Sequence, residues 1–252
     1  MKDHLYILTG ASRGMGLAMA KQLLANGNSL LCISRNASPQ LATSAQKSGL
    51  NLMQWTHDLA DTEGVSARLR DWLQSQDQAR FASATLINNA GVIPPVVPLR
   101  QSQPADLAQA LRVGLEAPML LAGAFLRTTR TWDCPRALLN ISSGLGRRAM
   151  ASSAAYCAAK AGMDHFTRCL ALDEALHPNG AKVCSLAPGV IDTDMQTELR
   201  SATGAGFPDQ TRFVQMKDTG ALTTPADAAA QILTYLQRPD FGSNPVADVR
   251  DI

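Results

Sequence analysis

Close to its N-terminus the chain leaves an apolar run, residues 5–8, and enters Thr9-Gly10-Ala11-Ser12-Arg13-Gly14-Met15-Gly16, followed by an amphipathic stretch to about residue 25. A strand, a glycine-rich turn and a helix in direct succession leave few folds open. Gly10 permits the tight turn, Gly14 lets backbone approach a pyrophosphate, and Gly16 lets the helix pack closely on the strand. The helix then starts with free N–H groups and the positive end of its dipole, both suited to an anion. Placed after the first strand, the triplet points to a nucleotide.

The rest of the chain repeats the alternation. Strands are expected at 29–33, 50–56, 84–87, 137–141, 181–186 and 245–249. Helices are expected at 62–75, where Val65, Leu69, Trp72 and Leu73 keep a helical period, from about 153, and at 225–236. A long helix over 104–130 contains Gly114 and Pro118, so a kink is expected there. Residues 194–224, with Gly204, Gly206, Pro208 and Gly220, read as an irregular stretch: a lid over the substrate, or a partly disordered surface loop. Alternating strands and helices predict an α/β fold, a Rossmann-type doubly wound parallel sheet of about seven strands with helices on both faces, in a single domain over 1–252.

The end of the second strand reads Ser34-Arg35-Asn36, with no acid to accept from a ribose 2′-hydroxyl. Arg35, with Arg13 from the glycine turn and Ser34, can clamp a 2′-phosphate, so the expected cofactor is NADP(H); the alternative is two solvated arginines. Asp58 ends the third strand, where it can accept from an adenine amino group or cap the following helix. Asn88-Asn89-Ala90-Gly91 forms a turn at a strand's carboxyl end, where ligands bind in such sheets.

Tyr156 and Lys160 stand four apart on a helix and so share a face, with Ser143 on the preceding loop. At ~4 Å and an effective dielectric of ~20, an ammonium favours a phenolate by about 4 kcal/mol, or roughly three pKa units at most. That makes the tyrosine a candidate general acid or base, and the Ser143 hydroxyl can bond the same substrate oxygen. Alone, such a pair also arises as one core and one surface residue.

Composition narrows the rest. With 252 residues, 46% hydrophobic and 17% charged, the chain can bury a large core. A net charge of +2 carries no field for nucleic acid or a membrane surface, and no apolar run is long enough to span a bilayer. The immediate entry into a strand leaves no signal peptide to expect. Cys32, Cys134, Cys157, Cys169 and Cys184 have no C-x-x-C spacing and read as free thiols of a reducing cytoplasm. The four histidines lack metal-ligand spacing, so no metal is expected.

Taken together, TGASRGMG, the Asp58-Leu59 pair, NNAG at 88–91, Ser143, Tyr156-x-x-x-Lys160 and the Pro188-Gly189 turn with Thr193 resemble the short-chain dehydrogenase/reductase family over nearly the whole chain. SAAYCAAKAGMDHFTR, SLAPGVIDTDMQ and the tail VADVRDI are similar to its sepiapterin-reductase-like branch, which includes bacterial benzil reductases. The resemblance implies Tyr156 as general acid/base and Ser143 as the group polarising the carbonyl. It implies Lys160 on the nicotinamide ribose, depressing the tyrosine pKa. Ser12 and Met15 fall in the phosphate turn. Leu59, Asn89, Ala90 and Gly91 would line the adenosine side, and Pro188, Gly189, Ile191 and Thr193 the nicotinamide side. The implied activity is NADPH-dependent reduction of a small ketone or dicarbonyl by a homodimer or homotetramer.

One departure stands out. Val113-Gly114-Leu115 occupies the place where the family carries an asparagine that holds a relay water. Ser142 and Glu116 are candidates to take its place. Two alternatives therefore stay open: a 3-oxoacyl reductase or alcohol dehydrogenase, and a catalytically weakened NADP(H)-binding sensor.

Overall fold

In this computed structural model, residues 2–202 and 207–251 are described. Strands form at β1 (Asp3–Thr9), β2 (Ser29–Ser34), β3 (Leu52–Thr56), β4 (Phe81–Asn88), β5 (Arg136–Ile141), β6 (Lys182–Ala187) and β7 (Val246–Asp248). All pair in parallel, in the order β3-β2-β1-β4-β5-β6-β7. Helices cover both faces of the sheet, so its inner strands are apolar on both sides; every residue of β2 is buried.

The helices are α1 (Gly14–Ala25), α2 (Pro39–Ser48), α3 (Thr62–Gln74), α4 (Pro104–Leu111), α5 (Ala117–Thr129), α6 (Ala154–Ala175), α7 (Asp194–Ser201), α8 (Gln210–Asp218) and α9 (Pro225–Leu236). On one face Met19, Leu23, Leu41, Ile232 and Leu236 bury α1, α2 and α9 against the sheet. On the other, Val65, Leu69, Leu121, Phe125 and the partly buried Phe166 bury α3, α5 and α6.

The chain steps outward from β1 to β3 and then returns to lay β4 on the other side of β1. This reversal opens a crevice at the carboxyl ends of β1 and β4. A buried amide ladder fixes the neighbouring strand ends. Asn88 Nδ2 donates to Asn140 Oδ1 (2.9 Å), and Asn140 Nδ2 donates to Thr167 Oγ1 on α6 (2.9 Å). The helix that carries Tyr156 and Lys160 is thus tied to β4 and β5.

Three elements differ from the sequence expectation. The single kinked helix over 104–130 is α4 and α5 joined by a π turn, Arg112–Glu116, in which Ala117 N–H donates to Arg112 O. Pro118 falls in the first turn of α5, directly after the π turn. The described part of the stretch 194–224 contains two helices, α7 and α8, while Gly204 and Gly206 lie outside the described residues. Finally, α2 occupies a segment in which the sequence pattern assigns no element. Its signals are present: Ser38 Oγ accepts from Leu41 N–H, Pro39 starts the helix, and Gly49 closes it at φ +62°.

Candidate active site

A cavity of about 780 Å³ runs along the carboxyl ends of the central strands. The residues assigned to the cofactor, with the serine, tyrosine and lysine of the catalytic set, line it: Gly10, Ser12, Arg13, Gly14, Met15, Gly16, Ser34, Arg35, Asp58, Leu59, Asn89, Ala90, Gly91, Ser143, Tyr156, Lys160, Pro188, Gly189, Ile191 and Thr193.

At one end the glycine turn is locked against the turn after β4. A Cβ on Gly10 would lie 2.9 Å from Ala90 Cα, and one on Gly16 would lie 2.1 Å from Gly10 O, so both positions exclude a side chain. Thr9 Oγ1 accepts from the N–H groups of Asn89 (2.9 Å) and Ala90 (3.0 Å), while Asn89 Nδ2 donates to Thr9 O (2.9 Å). Asn89 therefore uses its amide to hold the turn. Ser34 acts in the same way; it is buried, and its Oγ accepts from Ala11 N–H at 2.8 Å. Among the described residues no side chain caps α1, and Gly14, Met15 and Gly16 line the cavity, so the first N–H groups of α1 are available to an anion.

The two arginines differ. Arg35 is exposed and makes no ion pair among the described residues, whereas Arg13 Nη1 reaches Asp194 Oδ2 on α7 at 3.1 Å. Asp58 Oδ1 accepts from Ala60 N–H (3.0 Å), and the cap of α3 is Asp61, which accepts from Gly64 N–H. The capping alternative for Asp58 is thereby replaced by a neighbouring acid.

At the other end Ser143 opens a short 3-10 turn, its Oγ accepting from Leu145 N–H (3.1 Å). Tyr156 and Lys160 lie one turn apart at the start of α6, 8% and 4% exposed. Lys160 Nζ is 5.8 Å from the Tyr156 ring centroid and donates to Ile141 O at 2.7 Å. Tyr156 Oη lies 4.0 Å from Met195 Sδ of α7.

The electrostatics correct the sequence expectation. Burial pushes the Tyr156 phenol up to about 12, with a hydrogen bond from Ser143 pulling the other way. Burial also lowers Lys160 to about 8, opposed by the Asp164 carboxylate. Removal from water is the largest influence on both groups, so at neutral pH the phenol keeps its proton and the lysine remains mostly charged. The phenol is not unusually acidic in this state; it is a proton donor in waiting.

A charged relay that sequence patterns did not reveal supports the lysine from behind. Buried Asp164, one turn beyond Lys160, accepts from Ser185 Oγ (2.7 Å) and Arg147 Nε (3.1 Å). Arg147 also donates to Ala247 O (2.9 Å), and Arg250 grips Asp248 at 2.7 and 2.6 Å. The C-terminal tail is thus held at the cleft. The i, i+4 spacing of Lys160 and Asp164 is visible in the sequence; the contacts to the tail need the fold.

Gly114 has a packing explanation. It sits in the π turn facing α6, where a Cβ would lie 3.1 Å from Ala159 Cβ; next to it, Leu115 Cδ2 fills the space in which a Cβ on Gly162 would sit, 2.8 Å away. Of the two candidates to replace an asparagine there, Glu116 is bonded to Thr62 Oγ1 (3.1 Å), on the α3 side. Ser142 lines the cavity with a buried hydroxyl that has no partner among the described residues. Gly114→Asn should lower stability by about 1 kcal/mol, overpacking against Ala159 outweighing the gain in helix propensity. Urea denaturation checks this, and a variant as stable as the parent would refute the steric account.

The cavity is also lined by Leu199 and Phe213, with Ile93 and Leu145, and Met150 belongs to the same apolar cluster. Phe207 and Phe213 stack at 5.9 Å between ring centroids. Arg148 and Arg212 line the cavity as well, and no sequence motif singles them out. Among the described residues no group of His, Cys, Asp or Glu could hold a metal ion, and no helix is long and apolar enough to cross a membrane.

Residues 4–204 match the short chain dehydrogenase family model. The chain is 32% identical over 235 residues to a benzil reductase ((S)-benzoin forming) of Bacillus cereus, covering 93% of this chain and 94% of that one. It is 31% identical over 258 residues to sepiapterin reductase of Xenopus tropicalis, covering 98% and 96%. A solved short-chain dehydrogenase/reductase from Burkholderia vietnamiensis superposes with a TM-score of 0.64 at 31% identity, covering 98% of this chain and 99% of that one.

Proposed function

The chain belongs to the short-chain dehydrogenase family, and from that premise we propose that this oxidoreductase is an NADPH-dependent carbonyl reductase acting on small ketones or dicarbonyls. The observation that carries the reading is a single cavity with a phosphate-type glycine turn and an unpaired arginine at one end and Ser143, Tyr156 and Lys160 at the other.

The cavity fits an extended dinucleotide phosphate. Gly10 and Gly16 let the turn close tightly against the turn after β4, α1 offers N–H groups that no side chain caps among the described residues, and the end of β2 presents Arg35 in place of an acid. When bound, NADPH supplies the hydride. The protein's part is position and protons. A carbonyl oxygen lodged between Ser143 Oγ and Tyr156 Oη accepts a hydrogen bond from each. As charge builds on that oxygen, the Tyr156 proton moves to it, and the charged Lys160 stabilises the phenolate left behind. A phenol held protonated through neutral pH suits the reductive direction.

NADPH oxidation, followed by dihydronicotinamide absorbance with a panel of diketones, tests the proposal. Absence of turnover on every carbonyl would overturn it. The cofactor assignment has its own test. Arg35→Ala removes the unpaired guanidinium, and a charge-assisted hydrogen bond is worth about 1.5–3 kcal/mol. NADPH affinity should therefore fall about tenfold to a hundredfold by fluorescence titration, with NADH affinity unchanged. Equal catalytic efficiency of the parent with both cofactors would contradict the 2′-phosphate assignment.

A further inference from the structure

The substrate end of the cavity carries a charge imbalance. Four guanidiniums reach it, and two are fully engaged: Arg147 with Asp164 and Ala247, and Arg250 with Asp248. The other two are not. Arg148 Nη1 approaches Asp209 Oδ1 only to 3.9 Å, well beyond the ~2.7–2.9 Å of a charge-assisted hydrogen bond, and its side chain is 51% exposed. Arg212 makes no ion pair among the described residues.

Both arginines belong to segments that meet at Asp209. Asp209, the loose partner of Arg148, precedes α8, and Arg212 N–H donates to Asp209 O at 3.1 Å, one turn along. The same cavity is lined by the apolar side chains of Leu145, Leu199 and Phe213. Two guanidiniums that line the cavity, one loosely paired and one without an ion pair among the described residues, leave positive charge beside its apolar lining. A neutral ketone makes no use of that charge; a planar anion matches the guanidinium fork.

We propose that the substrate is a ketone whose apolar body ends in a carboxylate, with Arg148 and Arg212 as the residues that select for the anion. This rests on the reductase reading of the cleft and names its substrate class. The carbonyl carbon accepts hydride and its oxygen accepts the Tyr156 proton, giving a hydroxy carboxylate and NADP+. The carboxylate itself is unchanged and serves only to anchor the molecule.

The test uses a matched pair, benzil and benzil-4-carboxylate, with the full chain and NADPH. The carboxylated compound should have a kcat/KM about tenfold above that of benzil, the value of one well-placed charge-assisted contact. Arg212→Ala and Arg148→Ala should each bring this ratio toward one, Arg212→Glu should invert it, and salt at about 0.5 M should compress it. A parent ratio near one, or a ratio indifferent to all three variants, would overturn the proposal while leaving the reductase reading intact if benzil is reduced. Calorimetric titration of the two compounds provides a readout without turnover. If neither is reduced but the carboxylate binds more tightly through the same arginines, the reductase reading fails and the anion site stands. If both bind alike, the anion site fails.

Discussion

Tyr156→Phe is expected to lower kcat for carbonyl reduction by about a thousandfold, within the range of about 10²–10⁴ for a positioned general acid. The structure makes the loss specific. The phenol's polar neighbours among the described residues are the Ser143 hydroxyl, the Met195 sulfur at 4.0 Å and Lys160, whose Nζ lies 5.8 Å from the ring centroid, and none of them holds a proton at the position of the phenol. Ser143 keeps its bond from Leu145 N–H, and the ring keeps its place in the wall. The melting temperature should therefore stay close to that of the parent, and NADPH should bind within a few-fold of its parent affinity. Stopped-flow single turnover separates the chemical step from binding. A mutant retaining more than about a tenth of parent turnover would remove the phenol from the mechanism.

The glycine turn, the seven strands and the Tyr156–Lys160 face were legible because each rests on local rules: turn conformations open to glycine, apolar runs of strand length, and the helical repeat. What escaped the sequence depends on non-local packing. The π turn is set by how closely α6 approaches at Ala159 and Gly162. The helices α7 and α8 are mostly polar, and their few buried residues, among them Leu199 and Phe213, pack in one cluster with Met150, far away in sequence. The roles of Ser34 and Asn89 escaped for the same reason. Both are polar groups at strand ends, where a ligand contact and a bond to a neighbouring turn look identical until the turn is in place. The lysine–tyrosine electrostatics were misjudged because a sequence gives spacing and no depth, and here desolvation is the larger effect.

That depth leads to the second large effect. Lys160→Met should lower reductase turnover by about a hundredfold, the cost of losing a preorganised charge beside a developing anion, and should at the same time stabilise the fold. The sign follows from linkage. Burial takes Lys160 from 10.5 to about 8, so between those values the unfolded chain binds more protons than the folded one, and stability from this group rises with pH. Below about pH 8 the folded protein carries a buried charge whose penalty is about 3 kcal/mol. Methionine removes the charge and forfeits the hydrogen bond to Ile141 O, worth about 1 kcal/mol. The net gain at pH 7 is about 2 kcal/mol, or about 4–8 °C in Tm for a chain of this size. The gain should vanish by about pH 10, where the parent lysine is neutral in the folded state. Tyr156 acts in the opposite sense: its rise to about 12 stabilises the fold fully below pH 10, and this contribution is lost as pH climbs toward 12. In the parent, reduction should decline as pH passes about 8 and the ammonium discharges, whereas in Lys160→Met that decline should be absent. A variant that is less stable than the parent at pH 7, or one that keeps the decline near pH 8, would show that Lys160 is not the buried charge on which this site depends.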